Sequence, residues 1–398
     1  MTSAAALALL TLTRAHPTGL PFALNLPWIG LLLIAAGIAW RRRTRRPTRM
    51  PDATPYAVER ARLLYGLSHI SCFVASEGKQ ALPIPGGVIA YEVRGRVAVA
   101  VGDPLTEPAR RVDAIAYFAS MCKRTGLVAS FFQTDSALRD AYCKAGLRVM
   151  KFSEEAIVET DRFDLGSPGR SNARHELARA RRAGLTVDVL DWPGPEDCIW
   201  RSLSEVSASW LSSHGGSEMG FSLGRFAEVV DVRGWITVAR DDTGRVHGFC
   251  TWLRMGADGS GLDMMRRGTG SAPGAMDLCL VAGVHEAQRR GLHRVSLGSV
   301  PLRDSLGDAC EPLPARLMRS FVYERGFGGY RYAKLAHFKS NYATQWVSRD
   351  VALPRGPACL AAIAALASLH RNPGTSAMPT GSIEVAPEAR SARVLAHR

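Results

Sequence analysis

The feature that most constrains the fold of this chain is an order of strand, turn, helix and strand that occurs twice, over residues 96–132 and 260–298. In each copy, apolar segments predict the two strands, and the long segment between them predicts a helix that is followed by a glycine. Strands that alternate with helices favour an α/β fold in which mixed sheets are flanked by helices. Because the repeat spans about 165 residues, it indicates a duplicated domain rather than a solenoid of short repeats.

Further elements surround the two copies. The pattern predicts paired strands over residues 88–104, a hairpin over 234–255, a strand over 147–159, and helices over 172–183 and 313–325. The turns of the two strand pairs fall at Arg94–Gly95 and at Asp241–Gly244. A chain of 398 residues is long enough for two globular domains with additional terminal segments.

The N-terminal segment has the pattern of a membrane anchor. Residues 20–40 carry no charged side chain, and these 21 residues suffice for a helix to cross a hydrocarbon core. Six arginines follow between residues 41 and 49, and this excess predicts that the rest of the chain lies in the cytoplasm. We therefore predict a single-pass anchor in a bacterial inner membrane with a basic juxtamembrane segment, over residues 1–49. A buried hydrophobic helix is the alternative interpretation.

The C-terminal segment, residues 353–398, predicts a short apolar helix and a disordered tail. Residues 358–370 are apolar but too short to span a bilayer, so they indicate a helix that lies on a membrane or protein surface. From about residue 371, Pro, Ser, Thr and Ala dominate without periodicity, which is typical of disorder.

The composition limits the class of protein. Hydrophobic residues make up 46% and charged residues 22%, which excludes a wholly disordered chain and a transporter with many spans. Eight cysteines without a Cys-x-x-Cys pair predict neither a zinc site nor a disulfide framework. The net charge of +14 indicates an anionic partner, either a nucleic acid or a lipid surface.

The helix predicted over 172–183 concentrates this positive charge. Only Glu176 offers an acidic partner within the helix, so most of the charge is left uncompensated there. A stripe of unpaired arginines is what phosphate binding requires, whereas a solvated helix face is the alternative. The candidate phosphate-binding residues are Arg174, Arg179, Arg181 and Arg182.

Two features near residue 265 carry candidate chemistry. Asp263 and Arg266 are an acid and a base in an otherwise apolar strand, which is costly unless they are paired or functional. Side chains three apart in a regular strand point to opposite faces, so a twist or a strand end is needed before both can line one pocket. The following loop, Arg267–Ala272, matches R-x-x-G-x-A, the pyrophosphate loop of acyl-CoA-dependent acyltransferases, although the pattern is short and permissive.

Six motifs, taken in order and spacing over residues 55–352, resemble the cytoplasmic domain of the phosphatidylglycerol lysyltransferases, also called aminoacyl-phosphatidylglycerol synthases. The motifs are Glu154–Val158, Trp210–Leu211, Met219–Phe226, Asp263–Arg266 with Met276–Asp277, Leu297–Leu302, and Phe338–Lys339 with Trp346 and Arg349. The run of six is far more specific than any one motif.

The resemblance implies two tandem GNAT-like acyltransferase folds, which we place at residues 50–165 and 166–352. It implies transfer of an aminoacyl group from aminoacyl-tRNA to a lipid hydroxyl, usually that of phosphatidylglycerol, an anionic phospholipid. Such a transfer makes the inner leaflet less anionic and can confer resistance to cationic antimicrobial peptides. Neither acetyl-CoA, nor another cofactor, nor a metal is implied. Family members also carry a flippase domain of many helices, in place of which this sequence has one predicted span.

The resemblance also implies roles for individual residues. Asp263 and Arg266 match the pair that lines the aminoacyl pocket, and Lys339 and Arg349 match basic residues of the catalytic site. Candidate substrate contacts besides Asp263 and Arg266 are Ser222 and Asp277. The sequence departs from the family pattern at Asn341, Thr344 and Asp350.

The implied mechanism is attack of the lipid hydroxyl on the aminoacyl carbonyl in a tunnel between the two halves. Arg266 or Lys339 would stabilise the oxyanion and Asp263 would hold the α-amino group, while no general base is identified. Two alternatives stay open: an acyl-CoA-dependent N-acyltransferase, and a non-catalytic, membrane-tethered protein that binds tRNA or lipid. The sequence determines neither the amino acid, nor the acceptor lipid, nor the oligomeric state.

Overall fold

The computed structural model describes residues 49–191, 197–214, 218–226, 234–303 and 332–371. The predicted membrane span, the helix predicted over 313–325 and the tail after residue 371 lie outside these ranges. Within them, no helix is both long and apolar enough to cross a membrane.

Eleven strands of the described residues form one continuous sheet, in the order β1-β2-β3-β4-β11-β5-β10-β9-β8-β7-β6. The strands are β1 (Gln80–Ile84), β2 (Gly87–Arg94), β3 (Val97–Val101), β4 (Val128–Asp135), β5 (Leu147–Glu159), β6 (Thr186–Asp191), β7 (Trp235–Arg240), β8 (Val246–Met255), β9 (Gly259–Arg267), β10 (Arg294–Pro301) and β11 (Gln345–Pro354). The prediction of mixed sheets flanked by helices is confirmed in this form, with the strands of both copies joined in a single sheet.

Helices cover both faces of this sheet. They are α1 (Pro55–Tyr65), α2 (Arg111–Thr125), α3 (Arg139–Lys144), α4 (Ser171–Arg182), α5 (Cys198–Ser213), α6 (Ala275–Arg289), α7 (Tyr332–Ser340) and α8 (Ala358–Arg371), and a 3-10 helix at His69–Phe73 precedes β1. Neighbouring residues of β9 belong to different core clusters: Met265 packs against the cluster that contains α4 and α6, whereas Met264 belongs to the cluster that contains α5. Helices α5 and α6 therefore lie on opposite faces of β9.

The predicted duplication is present in the structure. The units β3–α2–β4 and β9–α6–β10 each join two parallel, adjacent strands through one helix. A glycine in the left-handed conformation follows each helix, Gly126 with φ 75° and Gly291 with φ 69°. Such a residue ends a helix without steric strain because it has no Cβ.

The C-terminal strand connects the two halves. Strand β11 lies between β4 and β5, and pairs antiparallel with both. Strand β5 in turn pairs with β10 of the second copy. The last strand of the described residues thus completes the sheet of the N-terminal half.

Candidate active site

A β-bulge brings the predicted acid and base of β9 to one face of the sheet. Cys250 of β8 pairs with Met265 and Trp252 pairs with Leu262, so Thr251 alone lies opposite two residues of β9, Asp263 and Met264. The extra residue reverses the alternation of side chains, and positions 263 and 266 therefore point the same way. The Thr251 hydroxyl oxygen accepts the Met264 N–H at 2.9 Å, and the same hydroxyl lies 3.2 Å from Asp263 Oδ2, to which it donates.

Arg266 is fixed on three sides. The residue is 4% exposed, and its guanidinium donates to Glu218 Oε1 at 2.5 Å and to the Ser207 hydroxyl of α5. The guanidinium carbon also lies 5.3 Å from the centre of the Trp210 ring, in the range of a cation–π contact. Its direction is therefore set by packing as well as by charge.

Asp263 is a buried carboxylate, and the groups around it do not fully offset the cost of burying its negative charge. Burial raises the pKa of Asp263 to about 6, although the Gly224 N–H, the Thr251 hydroxyl and Arg266 oppose that rise. The Gly224 N–H donates to Oδ1 at 2.9 Å. A carboxylate accepts about four hydrogen bonds, so Asp263 retains capacity for a further cationic donor.

The segment 218–226 covers this acid and base. It supplies Glu218 to Arg266 and the Gly224 N–H to Asp263. Ser222, a predicted substrate contact, lies in this segment, but its hydroxyl is 2.9 Å from His370 Nε2 of α8. Ser222 therefore helps to hold the segment against α8, two residues from the Asp263 contact.

A second buried polar cluster lies where β5, β10 and β11 meet. The Arg349 guanidinium donates through two nitrogens to Glu155 Oε2, each at 2.6 Å. The other oxygen of Glu155 accepts the Ser296 hydroxyl at 2.6 Å and the His69 N–H at 2.8 Å. Burial by itself raises the pKa of Glu155, but Arg349, Ser296 and His69 outweigh it and hold the pKa at about 2.

Lys339 of α7 belongs to the same cluster. Burial lowers the pKa of Lys339 to about 7, with Glu155 acting in the opposite direction. Its Nζ lies 3.3 Å from the Ser299 carbonyl oxygen. A Cβ on Gly298 would lie 3.4 Å from both Lys339 Nζ and the His69 ring, so a glycine keeps this space open.

His69 connects the two clusters. Its ring Nε2 lies 2.7 Å from the carbonyl oxygen of Leu262, the residue before Asp263, while its backbone N–H binds Glu155. A carbonyl oxygen only accepts, so Nε2 carries the hydrogen. Burial lowers the pKa of His69, which favours the neutral ring.

The sequence pattern did not identify every member of these clusters. Glu155 is one of five charged residues in β5, so its position in the strand did not distinguish it, and it was included only within the motif Glu154–Val158. His69 and Glu218 lie in irregular or 3-10 segments, where hydrophobic periodicity gives no indication of burial.

Asp277 is not brought together with Asp263. It lies in the first turn of α6, on the opposite face of β9 from α5, where its carboxylate accepts the buried Tyr342 hydroxyl. Burial raises the pKa of Asp277. Asp277 therefore links α6 to Tyr342, which follows α7.

The four candidate arginines of α4 differ in their contacts. Arg174 donates to two backbone carbonyls of the preceding loop, at 2.6 and 3.1 Å. Arg179 forms an ion pair with Glu176 at 2.8 Å. Arg181 and Arg182 are exposed, and within the described residues neither has an ion-pair partner. Within the described residues, only Arg181 and Arg182 of the four are therefore both exposed and without an ion-pair partner.

The three departures from the family pattern are accommodated locally. Asp350 is fully buried and accepts two hydrogen bonds from Arg139, at 3.0 and 3.1 Å. The Thr344 hydroxyl accepts the Glu159 N–H at 2.9 Å just before β11 begins. Asn341 lies half-buried in the turn between α7 and β11.

The loop that matches R-x-x-G-x-A has few backbone donors left for a pyrophosphate. The Gly268 N–H donates to the His247 carbonyl oxygen and the Ala272 N–H to His247 Nδ1, at 3.0 and 2.9 Å. The Thr269 N–H donates to the Ser209 hydroxyl at 3.1 Å. A cavity of about 370 Å³ borders this loop, but its lining does not include Asp263 or Arg266.

Comparison with known proteins gives a consistent result. Residues 65–352 match the family model described as phosphatidylglycerol lysyltransferase, C-terminal. The chain is 27% identical over 326 residues to the lysylphosphatidylglycerol biosynthesis bifunctional protein LysX of Mycobacterium marinum, a match that covers 80% of this chain but 29% of that relative. A similar match, also 27% identical, is found with LysX of Mycobacterium ulcerans.

Two solved structures share the fold. One is the C-terminal domain of a candidate lysylphosphatidylglycerol synthetase from Agrobacterium fabrum, with TM-score 0.65 and 26% identity, covering 79% of this chain and 97% of that one. The other is L-PGS from Bacillus licheniformis, with TM-score 0.66 and 23% identity, covering 80% and 96%. The family model covers most of the chain, including both halves of the sheet and both polar clusters. This chain belongs to the phosphatidylglycerol lysyltransferase C-terminal family.

Proposed function

We propose that this chain transfers an aminoacyl group from aminoacyl-tRNA to the hydroxyl of a membrane lipid, with phosphatidylglycerol as the favoured acceptor. Family membership supports this reaction class, and the matched relatives are named for lysylphosphatidylglycerol biosynthesis. The observation that carries the proposal to particular residues is the pair on the bulged strand, where Asp263 and Arg266 share one face.

Asp263 is suited to hold the α-ammonium of the aminoacyl group. Its raised pKa has burial as its main cause, which means that an added cation would lower the free energy of the ionised carboxylate. An ammonium group supplies that cation together with hydrogen-bond donors. Arg266 already donates hydrogen bonds to Glu218 and Ser207, which fix its position. We propose that it lines this pocket and that its charge stabilises the carbonyl oxygen of the aminoacyl group.

Lys339 is suited to accept the proton of the attacking hydroxyl. With a pKa of about 7, a substantial fraction of its amine is neutral at physiological pH. The hydroxyl oxygen would bond to the aminoacyl carbonyl carbon, and the ester bond to the tRNA ribose would break. Lys339 would return the proton to that ribose oxygen. One ester replaces another, so the transfer needs no energy input.

Arg349 contributes in a different way. Its guanidinium is held in the Glu155 ion pair. Burial by itself lowers the pKa of Arg349, but Glu155 and Asp103 outweigh it and raise the pKa, so the guanidinium stays charged. We propose that Arg349 positions Glu155. Glu155 in turn binds the His69 backbone N–H and contributes to the electrostatic field at Lys339.

The nucleic-acid and membrane contacts belong to the same proposal. Arg181 and Arg182 are free to contact tRNA phosphates. We also place the chain at the bacterial inner membrane, anchored by the span predicted over residues 20–40, with two GNAT-like halves on the cytoplasmic side. The occupied backbone donors of Gly268, Thr269 and Ala272 disfavour the acyl-CoA alternative.

The test is production of aminoacylated lipid by the full chain in cells and in phosphatidylglycerol vesicles supplied with aminoacyl-tRNA. Mass spectrometry of the lipid extract identifies both the amino acid and the acceptor. Asp263→Asn should lower the rate about a hundredfold or more, because a neutral amide cannot form an ion pair with the α-ammonium of the substrate. Asp242→Asn, at an exposed hairpin turn, is the matched control and should leave the rate unchanged.

The pH profile separates the assigned roles. The rate should rise between pH 6 and pH 7.5, because Asp263 must be ionised and Lys339 must be neutral. Lys339→Arg keeps the positive charge but cannot become neutral, so it should remove activity. Wild type that yields no aminoacyl lipid with any aminoacyl-tRNA would refute the proposed function and leave the non-catalytic binding protein.

A further inference from the structure

Strand β4 contains one glutamine, Gln133, whose backbone is held in an unfavourable conformation. Its φ is 58°, in the left-handed region that residues with a Cβ rarely adopt, and the residue is buried. Thr134 pairs with Asp350 of β11. The next pair is Phe132 with Val351, so Gln133 is an extra residue that forms a β-bulge. Strained residues of this kind are found preferentially at functional sites, where the surrounding structure compensates for their cost.

The side chain of Gln133 is held close to Lys339. Its Oε1 accepts the Ser299 hydroxyl at 3.1 Å, and the carbonyl oxygen of the same Ser299 lies 3.3 Å from Lys339 Nζ. One residue of β10 therefore positions both side chains. Ser299 is partly exposed, so this contact borders accessible space rather than lying in a closed core.

The amide nitrogen of Gln133 has unused donor capacity. A glutamine amide has one acceptor oxygen and two N–H donors. Ser299 binds the oxygen, and within the residues that the structure describes, Nε2 forms no hydrogen bond. It also retains contact with accessible space. Gln133 therefore presents a fixed N–H donor beside Lys339.

The proposed transfer requires such a donor. When the lipid hydroxyl oxygen bonds to the aminoacyl carbonyl carbon, the π electrons of the carbonyl move onto its oxygen, which becomes an oxyanion. Lys339 is occupied with the proton of the hydroxyl. Arg266 supplies charge, but two of its nitrogens already donate to Glu218 and Ser207. These assignments leave the oxyanion without a dedicated N–H.

We propose that Gln133 is a further catalytic residue, whose Nε2 donates a hydrogen bond to the oxyanion formed on the aminoacyl carbonyl. This inference rests on the proposed function, because it assigns a role in the same reaction. When the intermediate collapses, the electron pair re-forms the carbonyl and the ribose oxygen leaves with the proton from Lys339. Gln133 itself gains and loses no proton. Each half of the sheet then directs one polar side chain by a bulge, Gln133 in β4 and Asp263 in β9.

The test uses substitutions that the backbone at position 133 can accept. Glycine and asparagine tolerate a positive φ better than other residues, so Gln133→Gly and Gln133→Asn should fold like wild type. The first variant lacks the amide, and the second holds it one methylene short. Initial rates of the full chain are measured on phosphatidylglycerol vesicles with lysyl-tRNA and with alanyl-tRNA. Each variant should lower kcat about a hundredfold and change KM less than about threefold, because an oxyanion donor acts only in the transition state.

Two more variants separate a donor from a structural residue. Ser299→Ala removes the hydroxyl that holds the Gln133 amide but keeps the backbone carbonyl near Lys339, and should lower kcat about tenfold. Gln345→Asn makes the same shortening at the exposed start of β11 and should keep kcat within about twofold of wild type. The rise in rate between pH 6 and pH 7.5 should be unchanged in every variant, because Asp263 and Lys339 are retained.

Thermal melting without substrate verifies the fold of each variant. If both Gln133 variants unfold, Ser299→Ala decides the question, and a wild-type kcat for it overturns the proposal. For folded Gln133 variants, a kcat within about threefold of wild type, a change confined to KM, or a shifted pH profile also overturns it. These outcomes leave the transferase reaction intact. A wild type that forms no aminoacyl lipid refutes the proposed function instead, and this inference with it.

Discussion

The Glu155–Arg349 ion pair allows a quantitative test of how the site is held together. Glu155 is 1% exposed and Arg349 is 3% exposed, so neither charge can turn to water if its partner is removed. Breaking a buried pair in this way typically costs about 3–5 kcal/mol. The fall of the Glu155 pKa from 4.5 to about 2 leads independently to about 3 kcal/mol at neutral pH. Glu155→Gln should therefore lower the free energy of unfolding by about 3 kcal/mol.

The pH dependence has a definite sign. A carboxyl group with a lowered pKa in the folded state stabilises the protein fully above its unfolded pKa, and this contribution is lost as the pH falls through the folded pKa. For Glu155 the interval runs from about pH 4.5 down to about pH 2. The difference in stability between wild type and Glu155→Gln should be constant near neutrality and shrink across that interval.

The measurement is urea unfolding of the full chain in detergent, followed by tryptophan fluorescence at several pH values. Glu176→Gln is the control, since its pair with Arg179 leaves the two side chains 29% and 42% exposed. Exposed pairs contribute about 0–1 kcal/mol, so the control should lie within that range. A loss below about 1 kcal/mol for Glu155→Gln, or a difference that does not depend on pH, would refute this account of the cluster.

Three further predictions concern packing, burial and the basic helix. Gly283→Ala should destabilise the chain by about 2 kcal/mol or more in thermal melting, although alanine favours helices, because its Cβ would overlap the Trp252 ring; an increase in melting temperature would contradict this. In urea unfolding, Arg139→Ala should lower the free energy of unfolding by about 3 kcal/mol, because it leaves the fully buried Asp350 carboxylate without its partner. Asp350→Asn should lower it by only about 1 kcal/mol, because the Arg139 side chain is 38% exposed and can reach water. Equal losses for the two variants would contradict this explanation. Arg181→Gln should leave stability unchanged but lower the slope of log K against log salt for tRNA binding by about one; an unchanged slope would remove this arginine from the interface.

The local pattern of the sequence predicts the repeating part of this fold. The units β3–α2–β4 and β9–α6–β10 follow from short-range periodicity and from the glycines after each helix, which act within a few residues. Strand β11 shows the limit. Its apolar residues indicate a strand, but nothing local specifies that it pairs with β4 and β5, more than 180 residues away along the chain.

The candidate site could likewise be predicted only in part. Asp263 and Arg266 were identified because a charged residue in an apolar strand requires a partner or a function. Their common direction was not, because a β-bulge depends on how β8 and β9 pair. The partners Glu218 and His69 are separated from Asp263 by 45 and 194 residues in the sequence, and only the folded chain brings them together.

The position of β11 joins the two halves of the structure. A single C-terminal segment, residues 332–354, carries Lys339 and Arg349 into the central cluster and also fills the gap between β4 and β5. Without it, Glu155 would be a buried carboxylate lacking its counter-charge, and two strands would lose their hydrogen-bonded neighbour. Assembly of the central cluster and closure of the N-terminal half of the sheet are therefore one event.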